Sequence, residues 1–279
     1  MLNRVPRKMK DKSITVIIAA HKTYQMPSDD MYLPVHVGAA GREIIKGYQR
    51  DDEGENISNL NPYFCELTGL YWAWKNIKSD YIGMAHYRRH FSLHPDKKHK
   101  WESLLKTNDI KEDLGKIKVF VPSKRRYYIE TLYSHYAHTH YAGQLDETRK
   151  IIQEFYPDYL GSFDKAVNQR WGYMFNMMIL QQDLFDEYCN WLFNILFILK
   201  DRIGEESLKQ LDKFQGRFYG RVGEILFNVW LEAQRKNRKI KKTEIKEIPV
   251  LHMENINWIK KGGAFLKAKF IEKKYQGSF

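Results

Sequence analysis

The fold class is decided by residues 79–91, which read S-D-Y-I-G-M-A-H-Y-R-R-H-F. Residues 81–87 are almost all apolar around a central glycine, which predicts a strand buried on both faces. Strands of this kind occur in parallel sheets that helices cover on both sides. The stretch therefore predicts an α/β protein with a mixed, mostly parallel sheet flanked by helices.

The rest of the chain alternates strand-like and helix-like segments. Strands are predicted at residues 13–20, 116–121, 173–180 and 248–253, and helices at residues 61–77, 127–141, 145–155, 184–201, 205–214 and 222–233. Residues 23–60 are rich in Asp, Gly, Pro and Asn, which is typical of loops. This order predicts one α/β domain with a helical C-terminal half.

Length and composition indicate an ordinary folded protein. The chain has 279 residues, 43% of them hydrophobic and 29% charged, which excludes a disordered chain. Its longest strongly apolar stretch, residues 191–199, is far shorter than the about 20 residues that a bilayer span needs. Only Cys65 and Cys189 are present, so neither a disulfide framework nor a cysteine zinc site is predicted. We therefore predict a cytoplasmic protein.

The net charge of +12 is concentrated in three segments. Residues 1–12 carry +4, residues 235–246 carry +6 and residues 259–279 carry +5, so the remainder is slightly acidic. We predict a basic leader at 1–12, a central domain at 13–255 and a basic tail at 256–279. Basic segments suit an anionic membrane surface or a solubilising tail, whereas a nucleic-acid binder spreads its cations over a recognition element.

Positively charged residues follow the predicted strand at 81–87. His86, Arg88 and Arg89 stand at its carboxyl end, and strand alternation places His86 and Arg88 on the same side. Ligands of open α/β sheets bind at this end, and the planar guanidinium group of arginine suits phosphate oxygens. The stretch predicts a phosphate or diphosphate site, with a surface arginine pair bridged to carboxylates as the alternative.

Two carboxylates are candidates for proton transfer. Glu66 lies in the first turn of the helix predicted at 61–77, and Glu224 follows a glycine-rich turn and begins another helix. Held in a cleft, such a carboxylate acts as a general base or binds a sugar hydroxyl. An acid at a helix start also complements the helix dipole, so the pattern alone leaves both interpretations open.

Aromatic and histidine clusters are less specific. Residues 61–76 are rich in aromatic side chains, which form either a sugar-stacking wall or the packing of a helix on the sheet. His135, His138 and His140 are spaced so that the first two share a helix face, which suits a metal site, although neutral or exposed histidines are commoner. The sequence contains no phosphate-loop, dinucleotide-binding, nucleophile-elbow or H-E-x-x-H motif, which argues against kinases, dehydrogenases, hydrolases and zincins.

Two of these stretches resemble the motifs of a bacterial glycosyltransferase family that long carried a domain-of-unknown-function label. They are residues 61–76, N-P-Y-F-C-E-L-T-G-L-Y-W-A-W-K-N, and residues 80–91, D-Y-I-G-M-A-H-Y-R-R-H-F. Weaker similarity continues through residues 176–179, 188–193, 221–226 and 249–252, so the resemblance covers residues 13–255. Members of this family are found in capsular polysaccharide, exopolysaccharide and O-antigen gene clusters.

The resemblance implies a GT-A-like hexosyltransferase of surface polysaccharide biosynthesis. It implies a nucleoside-diphosphate sugar donor, with a UDP-sugar of the galactose type as the first choice, and a lipid-linked or oligosaccharide acceptor. The donor-binding residues would be Ala20, His21, Lys22, His86, Arg88 and Arg89. The catalytic residues would be Glu224 and Glu66, and the acceptor or sugar would contact Tyr71, Trp74, Lys75, Asn176 and Arg221.

The sequence departs from the GT-A pattern at one point. The corresponding strand of such folds ends in D-x-D, which holds Mn²⁺ or Mg²⁺ on the diphosphate, whereas this strand ends in H-Y-R at residues 86–88. We therefore assign no metal ligands and expect the cationic side chains there to neutralise the diphosphate. Three carboxylates still leave a divalent cation open as a cofactor: Asp29, Asp30 and Asp80.

Two functions of other classes also stay open. One is a basic nucleic-acid-binding module, which the near-neutral central domain argues against, so we predict no nucleic-acid partner. The other is a non-catalytic carbohydrate-binding subunit of a polysaccharide assembly complex. Residues 264–274 would form a short basic helix on anionic lipid, which predicts a peripheral protein at the inner face of the cell membrane.

Overall fold

The computed structural model describes residues 12–254, and a nine-stranded sheet forms the centre of this part of the chain. The strands are Ile14–Ala20 (β1), Tyr32–His36 (β2), Gln49–Arg50 (β3), Tyr81–His86 (β4), Arg89–Phe91 (β5), Val119–Pro122 (β6), Arg125–Arg126 (β7), Trp171–Gly172 (β8), Met178–Gln181 (β9), Ile245–Ile248 (β10) and Val250–His252 (β11). β7 and β8 pair separately as a two-stranded ribbon. The predicted leader up to residue 11 and the predicted tail at 256–279 lie outside the described residues.

The strand order brings several carboxyl ends to one edge of the sheet. The order is β10-β6-β9-β4-β1-β2-β3, with β5 attached to β4 and β11 to β5. β1, β2, β3 and β4 are parallel, as are β6 and β10, and β9 runs antiparallel between β4 and β6. The carboxyl ends of β1, β2, β4 and β6 therefore meet the start of β9 at one edge. This arrangement confirms the predicted mixed, mostly parallel sheet.

Apolar side chains on both faces of the strands explain why the sheet is covered on both sides. The helices are Asn61–Phe64 (α1), Leu67–Asn76 (α2), Thr107–Ile110 (α3), Leu132–Thr139 (α4), Ala142–Phe155 (α5), Leu160–Asn168 (α6), Gln182–Ile203 (α7), Glu205–Lys209 (α8) and Phe218–Lys236 (α9). In β1, Ile17 belongs to the core formed with α2, α7 and α9, whereas Ile18 belongs to a second apolar layer that includes Ile110. Within residues 12–254, no helix is both long and apolar enough to span a membrane.

Several elements differ from their predicted bounds for local reasons. The predicted loop at 23–60 contains β2 and β3, and Pro34 inside β2 hides that strand from pattern analysis. The helix predicted at 61–77 is divided at Cys65, whose left-handed φ of 54° ends α1. The strand predicted at 173–180 begins only at Met178, because the two residues before Met177 also adopt left-handed φ values.

Gly83 is the position in β4 that is least able to accept a side chain. A Cβ atom there would lie 2.5 Å from the carbonyl oxygen of Met178 and 3.0 Å from the Cα atom of Ile179, both in the backbone of β9. Because neither strand can move without disturbing the ladder, Gly83→Ala should lower the free energy of unfolding by at least about 2 kcal/mol. Gly143→Ala, in open space at the start of α5, should change it by no more than about 0.5 kcal/mol. Urea denaturation of both variants measures the difference, and equal midpoints would contradict this account of the β4–β9 contact.

Candidate active site

The end of β4 forms a hairpin that brings two predicted site residues together. β4 ends at His86, the chain turns at residues 87–88, and β5 begins at Arg89. His86 and Arg89 are register partners across this hairpin, and Arg88 lies at its tip. Strand alternation, which placed His86 and Arg88 on one side, does not continue through the turn because the strand ends there.

Glu66 and Asn176 meet at the same edge although they are 110 residues apart in the sequence. The side-chain amide of Asn176 donates from Nδ2 to Glu66 Oε1 at 2.8 Å and to the carbonyl oxygen of Gly220 at 3.0 Å. Cys65, Phe175 and Asn176 have left-handed φ values of 54°, 74° and 51°. Non-glycine residues adopt this conformation at a cost, and such residues are concentrated at functional sites. The edge therefore combines polar contacts with backbone strain.

Two glycines allow α9 to pack closely against this edge. A Cβ atom at Gly223 would lie 3.0 Å from Leu67 Cδ1 and 3.3 Å from Asn176 Oδ1. A Cβ atom at Gly220 would lie 3.5 Å from the Cβ atom of Cys65. The predicted glycine-rich turn is thus largely the first turns of α9, where small residues let the helix approach its neighbours.

Glu224 lies in the second turn of α9 rather than at the start of a helix, because α9 begins at Phe218. Its side chain is buried, with only 4% of the residue exposed. Arg221 Nη1 donates to Glu224 Oε1 at 3.1 Å. Burial raises the pKa of Glu224, and the charge of Arg221 opposes that rise without cancelling it. Glu224 is therefore a buried carboxyl group with one cationic partner.

The pKa of Glu66 is shifted in the opposite direction to that of Glu224. Burial alone would raise the pKa of Glu66, but nearby His86 and the hydrogen bond from Asn176 bring it below its ordinary value. Burial lowers the pKa of His86, whose Nε2–H donates to the carbonyl oxygen of Phe175 at 2.5 Å. Two neighbouring carboxyl groups whose pKa values move apart are typical of sites where one group accepts a proton and the other stays ionised.

The other predicted donor residues surround the ring of Tyr87. The His21 ring lies edge-on to it at 5.4 Å, Lys22 Nζ is 5.6 Å from its centre and Arg88 Cζ is 5.2 Å from its centre. Arg88 is 41% exposed and pairs with Glu254 at 3.1 Å. Ala20, the last residue of β1, is buried and belongs to the same apolar layer as Tyr87. The structure therefore collects the predicted donor residues at adjoining strand ends.

Arg89 has no ionic partner among residues 12–254, whereas Arg88 and Arg221 both pair with carboxylates. Its guanidinium group lies 4.7 Å from the centre of the Phe175 ring, and its buried Nε atom has no hydrogen-bond partner within that range. Burial lowers the pKa of Arg89, which reflects the cost of keeping the charge in this position. A buried donor without a partner requires an explanation, and an anionic ligand supplies one.

Three predicted sugar-binding residues are placed away from this cluster. Tyr71 donates to Glu55 at 3.1 Å, and Lys75 forms an ion pair with the same carboxylate at 3.1 Å. The Trp74 ring stacks on Phe193 of α7 at 6.0 Å. These contacts fit the packing interpretation of the aromatic helix, whereas Asn176 and Arg221 do lie in the cluster.

The histidines that suggested a metal site have a carboxylate as their partner. Glu130, 3% exposed, accepts hydrogen bonds from His135 Nδ1 at 2.9 Å and from His138 Nδ1 at 2.6 Å. His140 is buried beside Gln215, at 3.2 Å. Glu130 lies five and eight residues before its partners, a spacing that the helical pattern did not indicate.

The carboxylates that left a metal open are not at the carboxyl edge. Asp80 accepts hydrogen bonds from Ser13 at the start of β4, the opposite end of that strand. Asp29 accepts from Thr107 at 2.7 Å. In the described part of the chain, no group of three or more His, Cys, Asp or Glu residues is arranged to hold a metal ion. The residues at the end of β4 do not fit the metal site of the GT-A pattern.

Sequence analysis missed several residues near the cluster. Arg217 donates from Nε to Cys65 Sγ at 3.0 Å, and Arg125 lies 5.0 Å from the centre of the Tyr127 ring. The charges of Arg125, Glu224 and Arg221 all act on the pKa of Tyr127, which burial raises to about 12. Arg125 closely follows β6. The rule that cations at the carboxyl end of a strand mark a ligand site, which was applied to β4, would therefore also have selected Arg125.

A groove of about 270 Å³ lies beside the cluster, farther along α9. Asn228 separates the two, because it binds the backbone of Glu224 with Nδ2 and accepts from the backbone of Tyr173 with Oδ1. Lys124 in the groove pairs with Glu247 at 2.7 Å. In the groove, Lys124 and Glu247 neutralise each other, whereas Arg89 in the cluster has no ionic partner among the described residues.

The sheet and the charged cluster define an α/β protein in which cationic side chains and two carboxyl groups lie together at the carboxyl edge of the sheet. Residues 15–236 match the family described as Domain of unknown function (DUF4422), and the chain belongs to this family. No curated protein matches the chain.

A solved structure described as the apo structure of WbbM, a bifunctional glycosyltransferase, is similar to this chain. The sequence identity is 28% and the TM-score is 0.78. The similarity covers 87% of this chain and 46% of that one, so this chain spans about half the length of its structural relative. The match confirms the predicted glycosyltransferase-like α/β fold.

Proposed function

We propose that this protein is a GT-A-like glycosyltransferase that moves a sugar from a nucleoside-diphosphate donor to an acceptor hydroxyl. The observation that carries the proposal is Arg89, a cation without an ionic partner among residues 12–254, near two carboxyl groups whose pKa values move apart. Diphosphate binding requires cations, and sugar transfer requires a group that takes the proton of the attacking hydroxyl. The similarity to a bifunctional glycosyltransferase supports the same reaction class.

The donor diphosphate would lie over the ends of β1 and β4. Lys22, Arg88 and Arg89 would neutralise the charge that develops when the bond between the sugar and the diphosphate breaks. Prearranged cations stabilise such charge without reorganisation, which is the electrostatic task that a divalent ion performs in other enzymes. Tyr87 would hold the ends of β1 and β4 at a fixed spacing, because His21, Lys22 and Arg88 all lie against its ring.

Glu224 would act as the general base. The acceptor oxygen forms a bond to the anomeric carbon, the bond from that carbon to the diphosphate breaks, and the acceptor proton passes to the Glu224 carboxylate. A raised pKa makes the Glu224 carboxylate a stronger base than that of an ordinary glutamate. Glu66, held by Asn176, would stay ionised and orient a sugar hydroxyl.

We also propose the class of donor sugar, the class of acceptor and the location of the enzyme. The motif resemblance supports a hexosyltransferase with a UDP-sugar donor of the galactose type and a lipid-linked or oligosaccharide acceptor in surface polysaccharide biosynthesis. The basic segments support a cytoplasmic protein that is peripheral at the inner face of the cell membrane. Asn176 and Arg221 would contact the sugar or acceptor, and the cationic cleft would make a bound Mn²⁺ or Mg²⁺ unnecessary.

A nucleotide-sugar panel tests the proposal. We expect UDP-sugars to raise the thermal midpoint equally with Mn²⁺ and with EDTA, because side-chain cations bind the diphosphate. A donor at about 100 times its Kd contributes about 2.7 kcal/mol of stability to the folded state. Salt-sensitive binding of random RNA with no response to any donor would favour the nucleic-acid module. Donor binding without hydrolysis or transfer under any acceptor condition would favour the non-catalytic carbohydrate-binding subunit.

A further inference from the structure

Two large apolar side chains stand side by side on the surface next to the candidate site. Tyr128 is 75% exposed and Ile129 is 54% exposed, although both neighbours, Tyr127 and Glu130, are buried. Tyr128 has a left-handed φ of 56°, an uncommon conformation for a residue with a bulky side chain. Folding does not require either side chain to be apolar, since neither is packed in the core.

The backbone holds this pair in place. Arg170 Nη1 donates to the carbonyl oxygen of Tyr128 at 3.1 Å, and the Ile129 amide donates to the carbonyl oxygen of Tyr127 at 2.6 Å. The Tyr127 amide in turn donates to the carbonyl oxygen of Arg170 at 2.9 Å. The ribbon of β7 and β8 supports the turn from one side. The exposed pair is therefore the tip of a braced turn.

Cations surround the tip on the same two segments. They are Arg125, Arg126 and Arg170, together with Lys124, which pairs with Glu247. Arg126 and Arg170 are exposed, and the one carboxylate of the turn, Glu130, is buried and bound to two histidines. The surface of the turn thus combines apolar side chains with positive charge, without an exposed acidic side chain in residues 124–130 to balance it.

We propose that this surface, the Tyr128 tip (Tyr128 and Ile129 with Arg125, Arg126 and Arg170), docks on an anionic phospholipid membrane. The Tyr128 side chain has an apolar ring and a polar hydroxyl group, so it suits the headgroup region, which is apolar on one side and hydrated on the other. Ile129 enters the acyl boundary beside it, and the arginines bind lipid phosphates. Two apolar side chains anchor a protein poorly by themselves, so the cations are a necessary part of the site.

Docking of the Tyr128 tip would bring the candidate active site close to the membrane, a consequence that rests on the proposed function. The β7–β8 ribbon that carries the tip also contacts α9 near Glu224: a Cβ atom at Gly172 would lie 3.4 Å from Asn228 Nδ2, which donates to the carbonyl oxygen of Glu224. A membrane on the tip would therefore hold this side of the cleft near the lipid surface. An acceptor carried on a membrane lipid would then reach Glu224 without leaving the bilayer.

Vesicle flotation of the full chain tests the tip. The vesicles are phosphatidylcholine alone or a mixture with phosphatidylglycerol, at low and high salt. We expect the double variant Tyr128→Ser, Ile129→Ser to lower the partition coefficient on anionic vesicles about tenfold, since two apolar side chains are lost. Arg126→Ser should weaken binding at low salt more than at high salt. Phe155→Ser, which removes an apolar side chain of comparable exposure (49%) beside Glu154 on α5, is the matched control and should not change partitioning.

The possible outcomes distinguish a failure of the proposed docking site from a failure of the proposed catalytic function. Unchanged partitioning of the double variant, or no binding of the wild-type chain to anionic vesicles, would overturn the docking site. Thermal midpoints of all variants check folding, which these exposed substitutions should preserve. Donor binding is measured on the same preparations without vesicles. A double variant that loses vesicle binding and keeps donor affinity supports the tip, and donor binding that fails in every variant counts against the proposed function alone.

Discussion

Glu224→Gln is expected to lower turnover by a factor of about 10²–10⁴ at saturating donor and acceptor while leaving donor affinity unchanged. The substitution removes the group that takes the acceptor proton, but it keeps the volume of the side chain and an oxygen that can accept from Arg221. The effect should therefore appear in kcat rather than in the donor Kd. Steady-state transfer to an acceptor, with donor binding measured separately by calorimetry, distinguishes the two.

The pH dependence provides a second readout for the same group. Only ionised Glu224 accepts a proton, so activity should fall as the pH drops through its raised pKa, higher than for an ordinary glutamate. This acidic limb should be absent from the residual activity of Glu224→Gln. Glu232→Gln, two turns further along α9 and paired with Lys165, is the matched control and should keep both the rate and the pH profile. Wild-type turnover in Glu224→Gln would remove Glu224 from the proposed role.

Arg89→Met is expected to weaken nucleoside-diphosphate binding by about one to two decades, since a lost charge-assisted hydrogen bond costs about 1.5–3 kcal/mol. Methionine keeps an apolar side chain and removes the guanidinium group, which is the part of Arg89 that lies over Phe175. Arg88→Ala should have a smaller effect, because the Arg88 guanidinium is more exposed and already pairs with Glu254. Calorimetric titration with UDP measures each Kd.

Two further variants make the Arg89 experiment specific. Arg89→Lys restores the charge without the planar fork and should recover part of the affinity. Lys75→Met removes a cation of comparable length whose partner is Glu55, away from the cleft, and should leave the Kd unchanged. A Kd in Arg89→Met equal to that of the wild type, with a normal thermal midpoint, would show that this arginine does not bind the diphosphate. An equal loss in Lys75→Met would show that the effect on UDP binding is not specific to the cations at the end of β4.

The sequence by itself determined the strands that are covered on both faces of the sheet. Residues 13–20 and 81–87 read as continuous apolar runs, and both are central strands of the sheet. A strand in that position has few alternatives, since almost every side chain must be apolar. The same reasoning placed His21, Lys22 and His86 at the ligand-binding edge, because the direction of a parallel strand fixes where its carboxyl end lies.

Only the tertiary structure decided which side chains meet at that edge. The contact between Glu66 and Asn176 joins segments 110 residues apart, and it depends on left-handed backbone at both places. The turn after β4 separated Arg88 from Arg89, so that Arg88 pairs with Glu254 and Arg89 lies half-buried against Phe175. Such outcomes depend on where the chain turns and how closely elements pack, and neither has a local signature in a hydrophobic pattern. The sequence therefore located the edge of the sheet, and the packing of α9 and the start of β9 against it selected the residues of the site.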